Sequence, residues 1–174
     1  MTVKERLLHA ARELIAEKGW GAVSTRVLAE RAGVGPGVVH YHFDSLHALL
    51  VQASVQALRT AVDGLTQVLD EVDDPQQALA ALLVALDAHD EPQELFTETL
   101  LAATRDDALR RAVADVLADF RRTLAGWLAL HDVPTPEATA AVLAAAVDGV
   151  LLHRALTPDL TRGTVVPVLA RVLR

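Results

Sequence analysis

GVGPGVVHYHF, Gly33–Phe43, holds three glycines, a proline and two adjacent valines, a composition that disfavours helix on propensity alone. It lies between STRVLAERA, residues 24–32, and SLHALLVQASVQALRTAV, residues 45–62, both with helical spacing of apolar groups. Gly33-Val34 reads as a tight turn and Pro36 as the first residue of a short helix, where its missing N–H costs nothing. Two short helices so joined make a helix-turn-helix, whose second helix enters a DNA major groove. That use explains the composition. Val34, Val39 and Phe43 are spaced to anchor the short helix, and Pro36, Gly37, His40 and Tyr41 share the opposite face. Val38 lies at the boundary. Small residues at 35–37 permit close approach, with free N–H groups available to a phosphate. Val38 and Pro36 suit a thymine methyl, Tyr41 a base edge or sugar, and His40 a phosphate oxygen.

The same geometry also serves structural three-helix units. His40, His42 and His47 raise a metal site as another reading, but His40 and His42 are two apart on a helix and diverge, and Asp44 is the one acid nearby.

Outward from this segment the chain reads as helix throughout. Residues 3–17 carry Val3, Leu7, Leu8, Ala11, Leu14 and Ile15 at helical spacing, with Gly19 as the stop and Trp20 at the base of the head. Ser24 or Thr25 caps the second helix, which Gly33 ends, and the third ends near Phe43. Ser45 caps a fourth helix of about seven turns that stops at VDDP, residues 72–75. Further helices are expected from Pro75 to about Ala88 and over 93–103, 107–130, 136–156 and 162–173. No segment alternates with period two long enough for a sheet. The expectation is an all-α chain of about nine helices, with a head at 1–45 and a body at 46–174.

Composition narrows the function. The 174 residues contain no cysteine, which excludes disulfides, thiolate metal sites and cysteine nucleophiles. There is no nucleophile elbow, phosphate-cradling loop after a strand or paired metal motif, so no enzyme and no cofactor is expected. His89 with Asp87 and Asp90 imitates an acid–base cluster but reads as a surface turn. No signal peptide and no uninterrupted run of eighteen apolar residues is present, so a soluble cytoplasmic protein without a membrane partner is expected. The formal net charge is −7, unevenly spread: residues 1–50 carry six Lys/Arg and five Asp/Glu, and the remainder ten against eighteen. The acid is in the body, and the near-neutral head can be positive on one face.

The run from Gly19 to Leu50 resembles the DNA-binding head of the TetR/AcrR family of transcriptional regulators. The shared pattern is a glycine closing helix one, Thr25 three residues before Leu28-Ala29, then Ala32-Gly33-Val34, and a third helix ending in aromatic, His and Phe. The resemblance implies phosphate contacts at Thr25 and Arg26 and base reading by Gly37, Val38 and Tyr41. His40 falls where a tyrosine usually touches the backbone, and His42 where a histidine stands near backbone and head core. Two positions depart from the pattern: Gly35 replaces the Ser or Thr cap of helix three, and Leu46 replaces a phosphate-binding lysine. A helical interaction protein without specific DNA binding is the alternative that these departures support.

One head offers little contact, so a homodimer on a palindromic operator is expected. Its seam falls on the two C-terminal helices, at Ala138, Ala141, Ala145 and Gly149, with Val165, Val166, Leu169, Val172 and Leu173; a buried core helix is the other reading of 136–156. The resemblance implies a four-helix dimer bundle and a small-molecule effector that moves helix four, making a repressor released from DNA by a hydrophobic compound. Candidate lining residues are Leu58, Val62, Leu65, Leu86, Phe96, Leu100, Leu117, Phe120, Leu124 and Trp127, each also suited to a core. Asp148, an acid among alanines and valines, suits a ligand anchor, a pair across the seam or an edge open to water.

Overall fold

The structure, a computed structural model, describes residues 1–87, 93–157 and 160–173. Among them are nine α-helices and no strand: α1 (Val3–Lys18), α2 (Thr25–Ala32), α3 (Pro36–His42), α4 (Leu46–Glu71), α5 (Pro75–Asp87), α6 (Gln93–Ala103), α7 (Asp107–Leu130), α8 (Pro136–Leu156) and α9 (Arg162–Leu169). The helix expected at 162–173 is not α-helical throughout. It tightens into a 3-10 turn at Ala170–Leu173, and Pro167 inside α9 removes one i→i−4 hydrogen bond just before that change. The His89–Asp90 part of the acid–base imitation lies outside the described residues, as does the Asp87 side chain.

Local chemistry sets the boundaries. Thr2 accepts from the Glu5 N–H at 3.2 Å and donates its own N–H to the Glu5 carboxylate at 2.7 Å, a reciprocal cap for α1. Of the two candidate caps for α2, Ser24 is the one used, accepting from the Val27 N–H. Ser45 caps α4 through the Ala48 N–H, Asp74 caps α5 through the Gln77 N–H, and Asp106 caps α7 through the Leu109 N–H. Gly33 closes α2 in the left-handed region at φ 65°, and the Val34 N–H then reaches back to the Ala29 carbonyl at 2.9 Å. That bond turns the chain tightly enough for α3 to begin three residues later.

The chain forms two compact units. The first comprises Met1–Thr60 with Asp90–Ala114, the second Ala61–His89 with Asp115–Arg174, so α4 and α7 each contribute to both.

The core of the first unit joins Leu7, Leu14 and Ile15 of α1, Leu28 of α2, Val39 of α3 and Leu49 of α4 to Leu95 of α6, all fully buried. Helix α6 docks on the end of α1 by shape as well as by apolar contact. Glu98 accepts the Trp20 N–H at 3.3 Å, and a Cβ on Gly19 would stand 3.1 Å from the same carboxylate oxygen. Gly19 also has φ 82°, so both backbone geometry and space require glycine there. Trp20 is half-buried against this core.

The core of the second unit gathers Leu65 and Leu69 of α4, Leu79 of α5, Phe120, Leu124 and Leu128 of α7, Leu143 of α8 and Leu173. Trp127 donates its indole N–H to the Leu69 carbonyl at 2.8 Å and stacks on His131. By length and composition alone, one described helix could cross a membrane: the Pro136–Arg154 stretch of α8, of which 17% is buried within the chain.

Candidate nucleic-acid interface

Helix α3 has two unlike sides. Val39 and Phe43 are buried in the first unit's core, and Val34 packs against it. Pro36, Gly37, His40 and Tyr41 are exposed, Tyr41 at 84% of its surface. Val38 and His42 are intermediate, and the Tyr41 and His42 rings meet edge to face with centroids 5.0 Å apart. A tyrosine ring held outward beside small residues, with His42 next to it, is a large exposed amphipathic surface. Gly35 provides no side-chain cap; Pro36 has no N–H to satisfy, and the Val38 N–H bonds the Gly35 carbonyl at 3.0 Å.

In the first turn of α2, Thr25 is half-buried and Arg26 exposed. The two arginines of this helix differ. Arg31 is held by Glu17 at 2.6 Å and Glu13 at 3.3 Å. Hydrogen bonding to Arg31 lowers the Glu17 pKa, and the same contacts raise that of Arg31. Arg26 forms no ion pair among the described residues and keeps its charge for solvent or an incoming anion.

At the start of α4, Leu46 packs against the head core instead of standing free. Next to it, the exposed His47 ring pairs with Asp106 in the turn before α7. The Asp106 pKa is lowered, first by the N–H of Leu109 and then by His47. Sequence reading weighed His47 as a metal ligand and missed this partner, because 59 residues separate the pair.

The other expected site residues fall as follows. Leu58, Phe96 and Leu100 belong to the first unit and are half-buried, Phe96 against its core. Val62, Leu65, Leu117, Phe120, Leu124 and Trp127 belong to the second. Leu65, Phe120 and Leu124 are buried in its core, with Val62 and Trp127 packed against it. The Leu86 side chain lies outside the described residues. Asp148 is exposed as a residue, yet desolvation of its carboxyl pushes the pKa up to about 6 against an opposing pull from Arg121. Its direction follows from that crowding, and the exposure limits its effect on stability.

Helix α8 is not a wholly buried core helix. Thr139, Ala140 and Leu143 turn inward, while Ala138, Ala141, Val142, Ala145 and Leu152 are exposed and Gly149 is intermediate. On α9 and the following turn, Val168 and Val172 are exposed and Val166 and Leu169 intermediate. Val165 and Leu173, also expected at the seam, are buried within their own chain, Leu173 in the second unit's core.

Known proteins share this arrangement. The profile for "Bacterial regulatory proteins, tetR family" matches residues 7–53, and that for "Tetracyclin repressor-like, C-terminal domain" matches residues 70–174. A TetR-family member from Streptomyces coelicolor A3 is 31% identical over all of this chain and 99% of its own, with a TM-score of 0.77. The multidrug binding protein EbrR, solved with ethidium, is 30% identical over 99% of each chain, with a TM-score of 0.70. An uncharacterised helix-turn-helix regulator of Mycobacterium tuberculosis is 26% identical over 117 residues, which span 66% of this chain and 60% of that protein.

Proposed function

Because this chain belongs to the TetR family of bacterial transcriptional regulators, we propose that it is a repressor that binds a palindromic operator as a homodimer and is released by a small hydrophobic effector. The family is one of ligand-responsive DNA-binding regulators, not of enzymes. The observation that carries the reading is the two-sided α3, with Val39 and Phe43 sunk in the core and Pro36, Gly37, His40 and Tyr41 outside. Residues 1–45 act as the DNA-binding domain. Gly37, Val38 and Tyr41 meet bases and Pro36 a thymine methyl, while Thr25, Arg26, His40 and His42 hold the backbone.

Residues 46–174 carry effector binding and dimerisation. The exposed small and apolar residues of α8, with Val166, Leu169 and Val172, supply the self-complementary face that a two-fold dimer needs. The effector reading draws support from EbrR, which binds ethidium and is similar over nearly its whole length. Leu58, Val62, Leu65, Leu86, Phe96, Leu100, Phe120, Leu124 and Trp127 are the proposed contacts, with Asp148 as a polar anchor. Helix α4 is the lever, since it begins at the head with Leu46 and continues into the effector-binding residues. A compact dimer on a promoter blocks polymerase by occupancy, which favours repression, and the work is done in the cytoplasm.

The test is selection of bound fragments from a random duplex pool, with nonspecific competitor at physiological salt. An enriched palindrome is the expected result. Binding that vanishes at moderate salt with no enriched sequence, from protein shown to be folded and dimeric, would overturn operator recognition.

A further inference from the structure

The first unit carries a groove of about 570 Å³ that lies apart from α3. One wall is the α4 face from His47 to Arg59, and the other is formed by Ala108 and Ala112, one turn apart on α7. The two alanines present only a methyl group each to this space. Val51 and Val55 make the floor, with Val55 buried. Gln52, Gln56 and Arg59 supply the polar groups, and no carboxylate lines the groove. His47 at one end is committed to Asp106. At the other end Arg59 is exposed and forms no ion pair among the described residues.

We propose that this groove binds a small amphiphile with an anionic head and a medium-length apolar tail. Charge complementarity fixes the sign of the head: at the Arg59 end the lining offers a guanidinium and two amides and no carboxylate, and the neighbouring acid Asp106 is taken up by His47 at the opposite end. Apolar floor and polar end are separated along one helix, since Val51 and Arg59 are about 12 Å apart at 1.5 Å per residue. A tail laid over Val51 and Val55 therefore brings a carboxylate to Arg59. The volume is within the range of small-molecule sites, roughly 300–1,000 Å³. None of the residues proposed for the hydrophobic effector lines the groove, and the proposal stands independently of operator binding.

The experiment is calorimetric titration of the full chain, without DNA, with octanoate below its micelle-forming concentration. Octylamine and octanol carry the same tail without the anion. Saturable binding of one octanoate per chain is expected, with octylamine not binding and octanol at least about tenfold weaker, the scale of a charge-assisted hydrogen bond. Ala112→Phe should fill the groove and abolish binding. Arg59→Gln, on an exposed position that leaves the floor intact, should weaken it about tenfold. Absence of octanoate binding, equal binding of octylamine, or unchanged affinity in the folded Arg59→Gln protein would each overturn the proposal. Operator selection is a separate assay, so failure there leaves this result unaffected.

Discussion

Asp148 is a carboxylate whose surroundings favour its neutral form. Its pKa rises from 3.8 to about 6 on folding, so the folded chain binds the proton more tightly than the unfolded one. The sign follows: stability from this group is greatest at acid pH and falls as pH rises from about 4 through about 6. Asp148→Asn should flatten that part of the profile and leave the variant the more stable above pH 6, which denaturant unfolding at a series of pH values measures. A variant whose stability tracks the parent across that range would remove the effect. Sequence marked Asp148 because an acid stood among apolar residues, but not its environment, since the opposing Arg121 comes from another helix. Gly19 and Gly33 were more legible. Each ends a helix with positive φ, a job that local chemistry assigns to glycine.

Helices were legible wherever their ends carried side-chain signals. Ser45, Asp74 and Asp106 cap as their residue types suggest, and α4 begins and ends where its flanks predicted. The break after Leu169 was missed although Pro167 announces it, because the apolar spacing runs on through Leu173. The groove on α4 was invisible for a different reason. Ala108 and Ala112 are ordinary helix formers, and only their placement opposite Val51 and Val55 gives them meaning. At the start of α4, Leu46 trades a charge for packing. Leu46→Lys should lower chain stability by about 1 kcal/mol as half-buried apolar surface is lost. The same change should strengthen DNA binding at low salt, with log K steepening by about 0.9 per protomer against log salt. Binding isotherms at several salt concentrations check the second part, and an unchanged slope would mean the residue stands away from phosphate.

At the scale of the molecule, sequence order and packing order differ. The resemblance that runs from Gly19 to Leu50 is continuous in the chain, but the core beneath it is not: Leu95, from α6, is fully buried among Leu7, Leu14, Leu28 and Leu49 or their neighbours in one cluster. No local pattern could have shown this, since α6 carries only a short apolar stripe like many others. Leu95→Ala should destabilise the first unit by about 2–5 kcal/mol and weaken DNA binding although it touches no DNA face. Thermal unfolding and operator titration together test this, and a stable variant with intact binding would show that α6 is dispensable to the head.

The seating of Glu98 against Gly19 and Trp20 bears on how such proteins can be recombined. A chimera cut once, after α3 or within α4, would transplant a DNA reader without the helix that completes its interior. The graft that keeps its native interior is discontinuous: the first sixty residues must travel with α6 and the opening turns of α7. Specificity and response are thus inherited as interleaved segments, and an exchange between relatives succeeds only where both pieces come from one parent.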